Sequence, residues 1–174
     1  VAHIKNTRTP FSIDIGVGDV IVPQPEKRKI PTQLDDFTAP NVNTYSVETT
    51  IAEKLDAILN LMDFSSRMKD YFDIFYLANK FDFEGDALST ALRKTFKNRG
   101  RNFQVEQFEQ VLAFDKDEGM KKKWRAFETK INLKTETFSD VLGTIKKFLQ
   151  PPYLATLSNE NFYLLWSAGD LMWK

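Results

Sequence analysis

From Val47 onward apolar residues recur every three or four positions, and that period commits most of the chain to amphipathic helices. Val47, Ile51, Leu55, Ile58 and Met62 line one face of a first helix, with Ser46 as its predicted N-cap and Glu48 in its first turn. A turn at Asp63-Phe64-Ser65 follows, and Ser65 or Ser66 is expected to cap a second helix reaching about Lys80. That helix carries Met68, Phe72, Phe75 and Tyr76, with Tyr71 and Ile74 widening the apolar face. Four more helices are predicted over residues 86–98, closed by Gly100, and over residues 105–114, 118–131 and 138–149. The last is expected to stop before Pro151-Pro152.

Upstream the period changes to two. Phe11, Ile13, Ile15 and Val17 alternate with Ser12, Asp14 and Gly16, the pattern of a half-buried strand. Pro23-Gln24-Pro25 ends the next apolar run, and residues 27–43 are expected to form an irregular connection punctuated by Pro31, Pro40 and Asn41. The fold class read from these patterns is α+β, with a strand-bearing segment over residues 1–44 and a mainly helical bundle over residues 45–174. Fifteen Phe predict a core rich in ring contacts. Val1 is not a start methionine and opens a strand-like stretch, so a further segment is expected upstream.

Composition removes several chemistries. The chain has no cysteine and a single histidine, His3, which leaves disulfides, thiolate sites, histidine zinc sites and Ser-His-Asp hydrolysis without support. No phosphate-binding glycine loop is present, since Gly16-Val17-Gly18 lacks a third glycine and a following helix. No apolar run approaches the ~18–20 residues of a membrane span, and no leader pattern opens the chain, so a bacterial cytoplasmic location is expected. Net charge is zero but unevenly spread: residues 14–88 hold 14 Asp/Glu against 7 Lys/Arg, and residues 93–134 hold 12 Lys/Arg against 6 Asp/Glu. Such halves suit cations on one side and a polyanion on the other, or are two differently solvated sets of helix faces.

Three patches can carry chemistry. Asp14 is flanked on its own strand face by Ser12, Gly16 and Gly18, small neighbours that leave a carboxylate accessible to a metal; a plain edge-strand aspartate fits the same pattern. Lys54 lies one helical turn after Thr50 and one before Ala57, so its ammonium is free to meet a phosphate or to remain a solvated surface charge. Asp70 and Asp73 share a helix face, with Arg67 three before Asp70 and Lys69 four before Asp73. That arrangement either positions a reacting group or forms a surface ion-pair ladder.

The order of these patches carries a resemblance. Ile13-Asp14-Ile15-Gly16-Val17-Gly18-Asp19, then Tyr45-Ser46-Val47-Glu48-Thr49 with Ile51-Ala52-Glu53-Lys54, then Ser66-Arg67-Met68-Lys69-Asp70-Tyr71-Phe72-Asp73 resembles the AbiEii/AbiGii nucleotidyltransferase toxin family over roughly residues 11 to 100. The resemblance implies a polymerase-β-like nucleotidyltransferase lobe, whose last strands fall in residues 1–44, followed by a helical lobe. Between them would sit an NTP with Mg²⁺. Members act as toxins of toxin–antitoxin or phage-defence pairs, with a cognate antitoxin as partner, and some transfer nucleotides onto the 3′ ends of tRNA. By position Lys54 is the family's motif lysine and would meet the triphosphate, Asp70 and Asp73 would orient that lysine or the attacking hydroxyl, and Asp14 would supply a metal carboxylate. Arg67 and Lys69 join Lys54 as implied nucleotide-binding cations, and the basic 93–134 region would take the RNA backbone. The family's Gly-Ser or Gly-Gly turn leading to Asp-x-Asp is absent from the chain and is expected upstream of Val1, which leaves the polypeptide alone without its main metal ligands. A second reading is a non-catalytic helical remnant that binds an antitoxin or other protein through an exposed aromatic tail after Pro152.

Overall fold

Helix α1 (Val47–Leu61) begins where the sequence predicts, because Ser46 is extended and its Oγ accepts the Thr49 N–H at 3.1 Å. Thr49 Oγ1 in turn accepts the Val22 N–H at 2.8 Å and donates to the Val22 carbonyl at 2.9 Å, and Ser46 Oγ donates to the same carbonyl. Ser46, Thr49 and Val22 are all buried, so the incoming segment and the first turn of α1 form one hydrogen-bonded unit.

The computed structural model describes residues 1–4, 6–12, 18, 20–132 and 136–174. An antiparallel hairpin joins β1 (Ala2–Ile4) to β2 (Thr7–Thr9), and a second joins β3 (Glu26–Lys29) to β4 (Asn41–Thr44) with Glu26 opposite Thr44. After α1 come a short 3₁₀ turn (Met62–Phe64), α2 (Met68–Lys80), β5 (Phe83–Glu84), α3 (Gly85–Asn98) and α4 (Val105–Leu112). A second 3₁₀ turn (Ala113–Lys116), α5 (Glu118–Ile131), α6 (Phe138–Leu157), β6 (Leu165–Ser167) and β7 (Met172–Trp173) complete the order. The architecture is α+β, with short antiparallel strands and six helices among the described residues. No helix among them is long and apolar enough to cross a membrane.

Helix α3 packs on both α1 and α6, and α6 also packs on α2. Ile51, Leu55 and Ile58 of α1 join Leu88 and Leu92 of α3 and Val141, Ile145, Phe148 and Leu149 of α6 in the core. Phenylalanine supplies much of it: the Phe148 ring centre lies 5.0 Å from Phe83, 4.9 Å from Trp166 and 5.9 Å from Trp173.

Several expectations change. The strand predicted over residues 11–17 lies for the most part outside the described residues; Phe11 and Ser12 are not in a strand, and Phe11 is exposed. Residues 27–43 are not irregular throughout, since they hold most of the β3–β4 hairpin. In α2 the buried face is Met68, Tyr71, Ile74 and Ala78, whereas Phe72 and Phe75 are half-buried and Tyr76 is exposed. Neither serine caps that helix through its side chain: Arg67 holds the cap position, and Ser65 Oγ instead accepts the Arg67 N–H at 3.0 Å. Gly100, with φ +62, does close α3, aided by an Arg101 N–H donating to the Phe96 carbonyl at 2.8 Å.

The largest change is at Pro151 and Pro152, which sit inside α6. A proline lacks the N–H that would meet the carbonyl four residues back, so Pro152 leaves the Phe148 carbonyl without its helical partner. Trp173 Nε1 takes that carbonyl at 3.0 Å, and the helix continues for a further turn and more. The aromatic tail is therefore docked rather than free. Trp166 is buried, with Nε1 donating to the Ala78 carbonyl at 2.8 Å, and Trp173 is half-buried, so only Tyr163 fits the exposed tail that motivated a binding remnant.

Gly85 seats this tail. Its N–H donates to the Leu164 carbonyl at 2.9 Å, and a Cβ placed there would meet the Phe162 and Leu164 carbonyl oxygens at 2.6 and 2.8 Å. Backbone cannot yield as a flexible side chain can. Gly85→Ala is therefore expected to lower the unfolding free energy by about 1–3 kcal/mol, read as a shift of the urea midpoint; an unshifted midpoint would contradict the docked tail.

Candidate functional site

The helices α1 and α2 bring together three of the five charged positions picked out in the second and third patches, Lys54, Asp70 and Asp73, and the other two flank them. Lys54 Nζ lies 3.0 Å from Asp70 Oδ1 and 2.6 Å from Asp73 Oδ2. Lys69 Nζ approaches Asp73 Oδ2 at 2.5 Å, and Arg67 Nε lies 2.7 Å from Asp70 Oδ2. These two flanking cations are largely exposed, so their ion pairs contribute little. Asp70, at 3% exposure, depends mainly on Lys54. Its Oδ2 is buried without an aligned hydrogen bond, the Arg67 approach being an ion pair only, and so keeps acceptor capacity in a place where such capacity is costly.

The local chain explains the placement. The Ser65 hydroxyl turns the backbone into α2, which sets Asp70 in its first turn near the positive end of the helix dipole. Lys123 Nζ of α5 donates to the carbonyls of Asp63 and Ser65 at 2.5 and 3.1 Å and pins that turn. Burial is the largest single influence on Lys54 and works against its charge, but the hydrogen bonds from Asp73 and Asp70, with their charges, together raise its pKa above the ordinary 10.5. Lys54 is thus a fixed cation across the physiological range.

Lys54 and Asp70 open onto a pocket of about 240 Å³, whose walls include Tyr45, Thr50, Glu53, Ala57, Arg67 and Arg99. Ala57 keeps the wall beside Lys54 low, as its spacing implied. Sequence reading missed the second ion cluster at this wall. Asp56, fully buried, accepts from Arg99 Nη1 at 3.0 Å and from Arg101 Nε at 2.9 Å, while Arg99 also pairs with Glu53. Its signals were present: Glu53 and Asp56 lie three apart on α1, and two arginines flank the helix-closing Gly100.

Asp14, the predicted metal carboxylate, lies outside the described residues. Among the described residues there is no group of three or more His, Cys, Asp or Glu side chains able to hold a metal ion. Asp70 and Asp73 do not fit one, because three cations already surround them. An Asp-x-Asp string does occur at Asp115-Lys116-Asp117, but it follows Phe114 rather than a Gly-Ser turn. Asp117 Oδ1 caps α5 through the Met120 N–H at 2.8 Å, and Asp115 accepts from Ser139 Oγ at 3.1 Å, so both serve the fold.

A group whose pKa is raised by folding contributes stability that is complete below its unfolded value and is lost as pH climbs through the folded one. Lys54 behaves so, and the phenols of Tyr71 and Tyr153, both pushed up mainly by burial, act with the same sign. Urea unfolding is expected to give constant stability from about pH 9 to about pH 10 and a fall beyond it. In Lys54→Met the fall is shallower by the lysine's share; equal slopes in the two proteins would deny the ion-paired Lys54.

A model of the nucleotidyl transferase AbiEii toxin family, a type IV toxin–antitoxin system, matches residues 2–144. That span extends past the motif-bearing residues 11–100 to include α4, α5 and the start of α6. No curated protein and no solved structure matches the chain. The chain belongs to the nucleotidyl transferase AbiEii toxin family.

Proposed function

We propose that this chain forms part of a toxin that transfers a nucleotide from an NTP, with Mg²⁺, to an RNA acceptor, tRNA being the favoured class, and that a cognate antitoxin restrains it. The observation that carries the reading is Lys54, held charged between Asp70 and Asp73 at the wall of the 240 Å³ pocket. Nucleotidyl transfer displaces pyrophosphate at phosphorus, and a preorganised cation that follows the departing charge is what a protein can add there. Lys54 has that role in our reading, with Arg67 and Lys69 as outlying cations for the same polyphosphate. Asp70 aims Lys54 through Oδ1, while its Oδ2 is buried against Arg67. Asp73 holds the lysine from the other side.

In this reading residues 1–44 belong to the nucleotidyltransferase lobe and residues 45–174 to the helical lobe. Mg²⁺ would be held by Asp14 and the family's Asp-x-Asp, and no step is assigned to it at Asp70 or Asp73. The protein works in the bacterial cytoplasm, where NTP and tRNA are found.

The test is incorporation of labelled NTP into total tRNA by the polypeptide carried upstream through a Gly-Ser…Asp-x-Asp segment. Lys54→Ala and Asp70→Ala are each expected to reduce incorporation by about 10²–10³-fold, with folding checked by circular dichroism. Undiminished incorporation in both variants would remove these residues from the reaction.

A further inference from the structure

A second pocket, of about 330 Å³, lies on the other side of the Asp56 clasp, between α3, residues 99–104 and the end of α6. Its cations are Arg93, Lys97 and Arg101, and among the described residues no carboxylate side chain helps to form it. Each cation keeps donors in hand. Arg93 gives Nη2 to the Glu160 carbonyl at 2.9 Å, but its Nε is buried with no hydrogen-bond partner. Arg101 directs Nε and Nη2 to Asp56, leaving Nη1 without a protein acceptor among the described residues. Lys97 is exposed and makes no ion pair among the described residues. Phe96 and Phe103, edge to face at 5.0 Å, give the pocket an apolar wall, and Asn102 adds an amide.

A buried guanidinium N–H without an acceptor costs free energy in the empty protein, and an anion that reaches it removes that cost. Two forked guanidiniums and an ammonium match the oxygens of a phosphate, and an apolar wall beside them suits a planar ring. We propose that this pocket binds a phosphate group borne on a nucleotide, at a site separate from the Lys54 pocket. The inference does not depend on the function proposed above, since it uses none of Lys54, Asp70 or Asp73. The same chemistry is offered by a free nucleotide and by the backbone of an RNA strand.

The experiment is isothermal titration of the full chain with AMP, with adenosine as the phosphate-free control. AMP is expected to bind at least tenfold more tightly than adenosine. The double variant Arg93→Gln/Lys97→Gln should weaken AMP at least tenfold, and Lys146→Gln, at an exposed position outside both pockets, should leave it unchanged. Lys97→Glu, a change at an exposed position, supplies the same test if the double variant does not fold. Fluorescence anisotropy with a single-stranded RNA then separates the sources: RNA binding weakened together with AMP assigns the pocket to strand phosphate, and RNA binding unchanged assigns it to the free nucleotide. No AMP binding at millimolar concentration, AMP binding indifferent to Arg93→Gln/Lys97→Gln and to Lys97→Glu, or AMP binding equally weakened in Lys146→Gln would overturn the proposal.

Discussion

A fully buried carboxylate, Asp56, holds the helical part of this protein in register. Taking such a charge from water is expensive, and only close, well-aligned partners make it tolerable. Asp56 has two, the guanidiniums of Arg99 and Arg101, both supplied by the segment that closes α3. Their approach fixes the rotation of α1 about its axis, because an ion pair of this geometry does not survive a turn of the helix by one residue. Two positions earlier, on nearly the opposite side of α1, Lys54 is thereby aimed at α2. One helix thus carries a structural ion cluster on one flank and the candidate functional cluster on the other, with Ile51, Leu55 and Ile58 buried along it.

How much of this the sequence discloses depends on the kind of interaction involved. Local signals read well: the Ser46 cap, the Gly100 closure and the bounds of α5 follow from short-range hydrogen bonding and apolar period. Strands β3 and β4 escaped because their residues are almost wholly exposed on both faces, so no alternation marks them. The continuation of α6 through two prolines depends on Trp173, more than twenty residues away, which meets the carbonyl that Pro152 cannot. No local rule contains that partner. The face of α2 was rotated in the reading because Tyr71 and Tyr76 look alike in sequence, and only packing against α6 separates the buried ring from the exposed one.

The candidate site shows the same division. Spacing alone put Asp70 and Asp73 on one helix face and left open whether they formed a surface ladder; the order of motifs favoured a site, and the burial of Asp70 against Lys54 is the fact that spacing could not supply. The charge asymmetry suits either a polyanion surface or differently solvated faces, and some of the basic residues serve neither. Arg99, Arg101 and Lys123 of the basic half are engaged inside the protein, by Asp56 and Glu53 and by the carbonyls of Asp63 and Ser65. Arg93 and Lys97 retain donors that face a pocket.

Electrostatics also bears on which half of the proposed nucleotidyl-transfer site these helices would provide. Around the Lys54 pocket, Lys54, Arg67 and Lys69 stand against Asp70 and Asp73, and the neighbouring Glu53 and Asp56 are balanced by Arg99 and Arg101. The cluster therefore carries an excess of positive charge, which attracts a polyphosphate and repels a divalent cation. The acidic motif on α2, taken by itself, invites a metal assignment; the three cations about it argue that its carboxylates instead hold a lysine in place and charged. In the proposed reaction the metal-holding carboxylates have to come from outside α2, and Asp14, which lies outside the described residues, is the residue of this chain that our reading nominates.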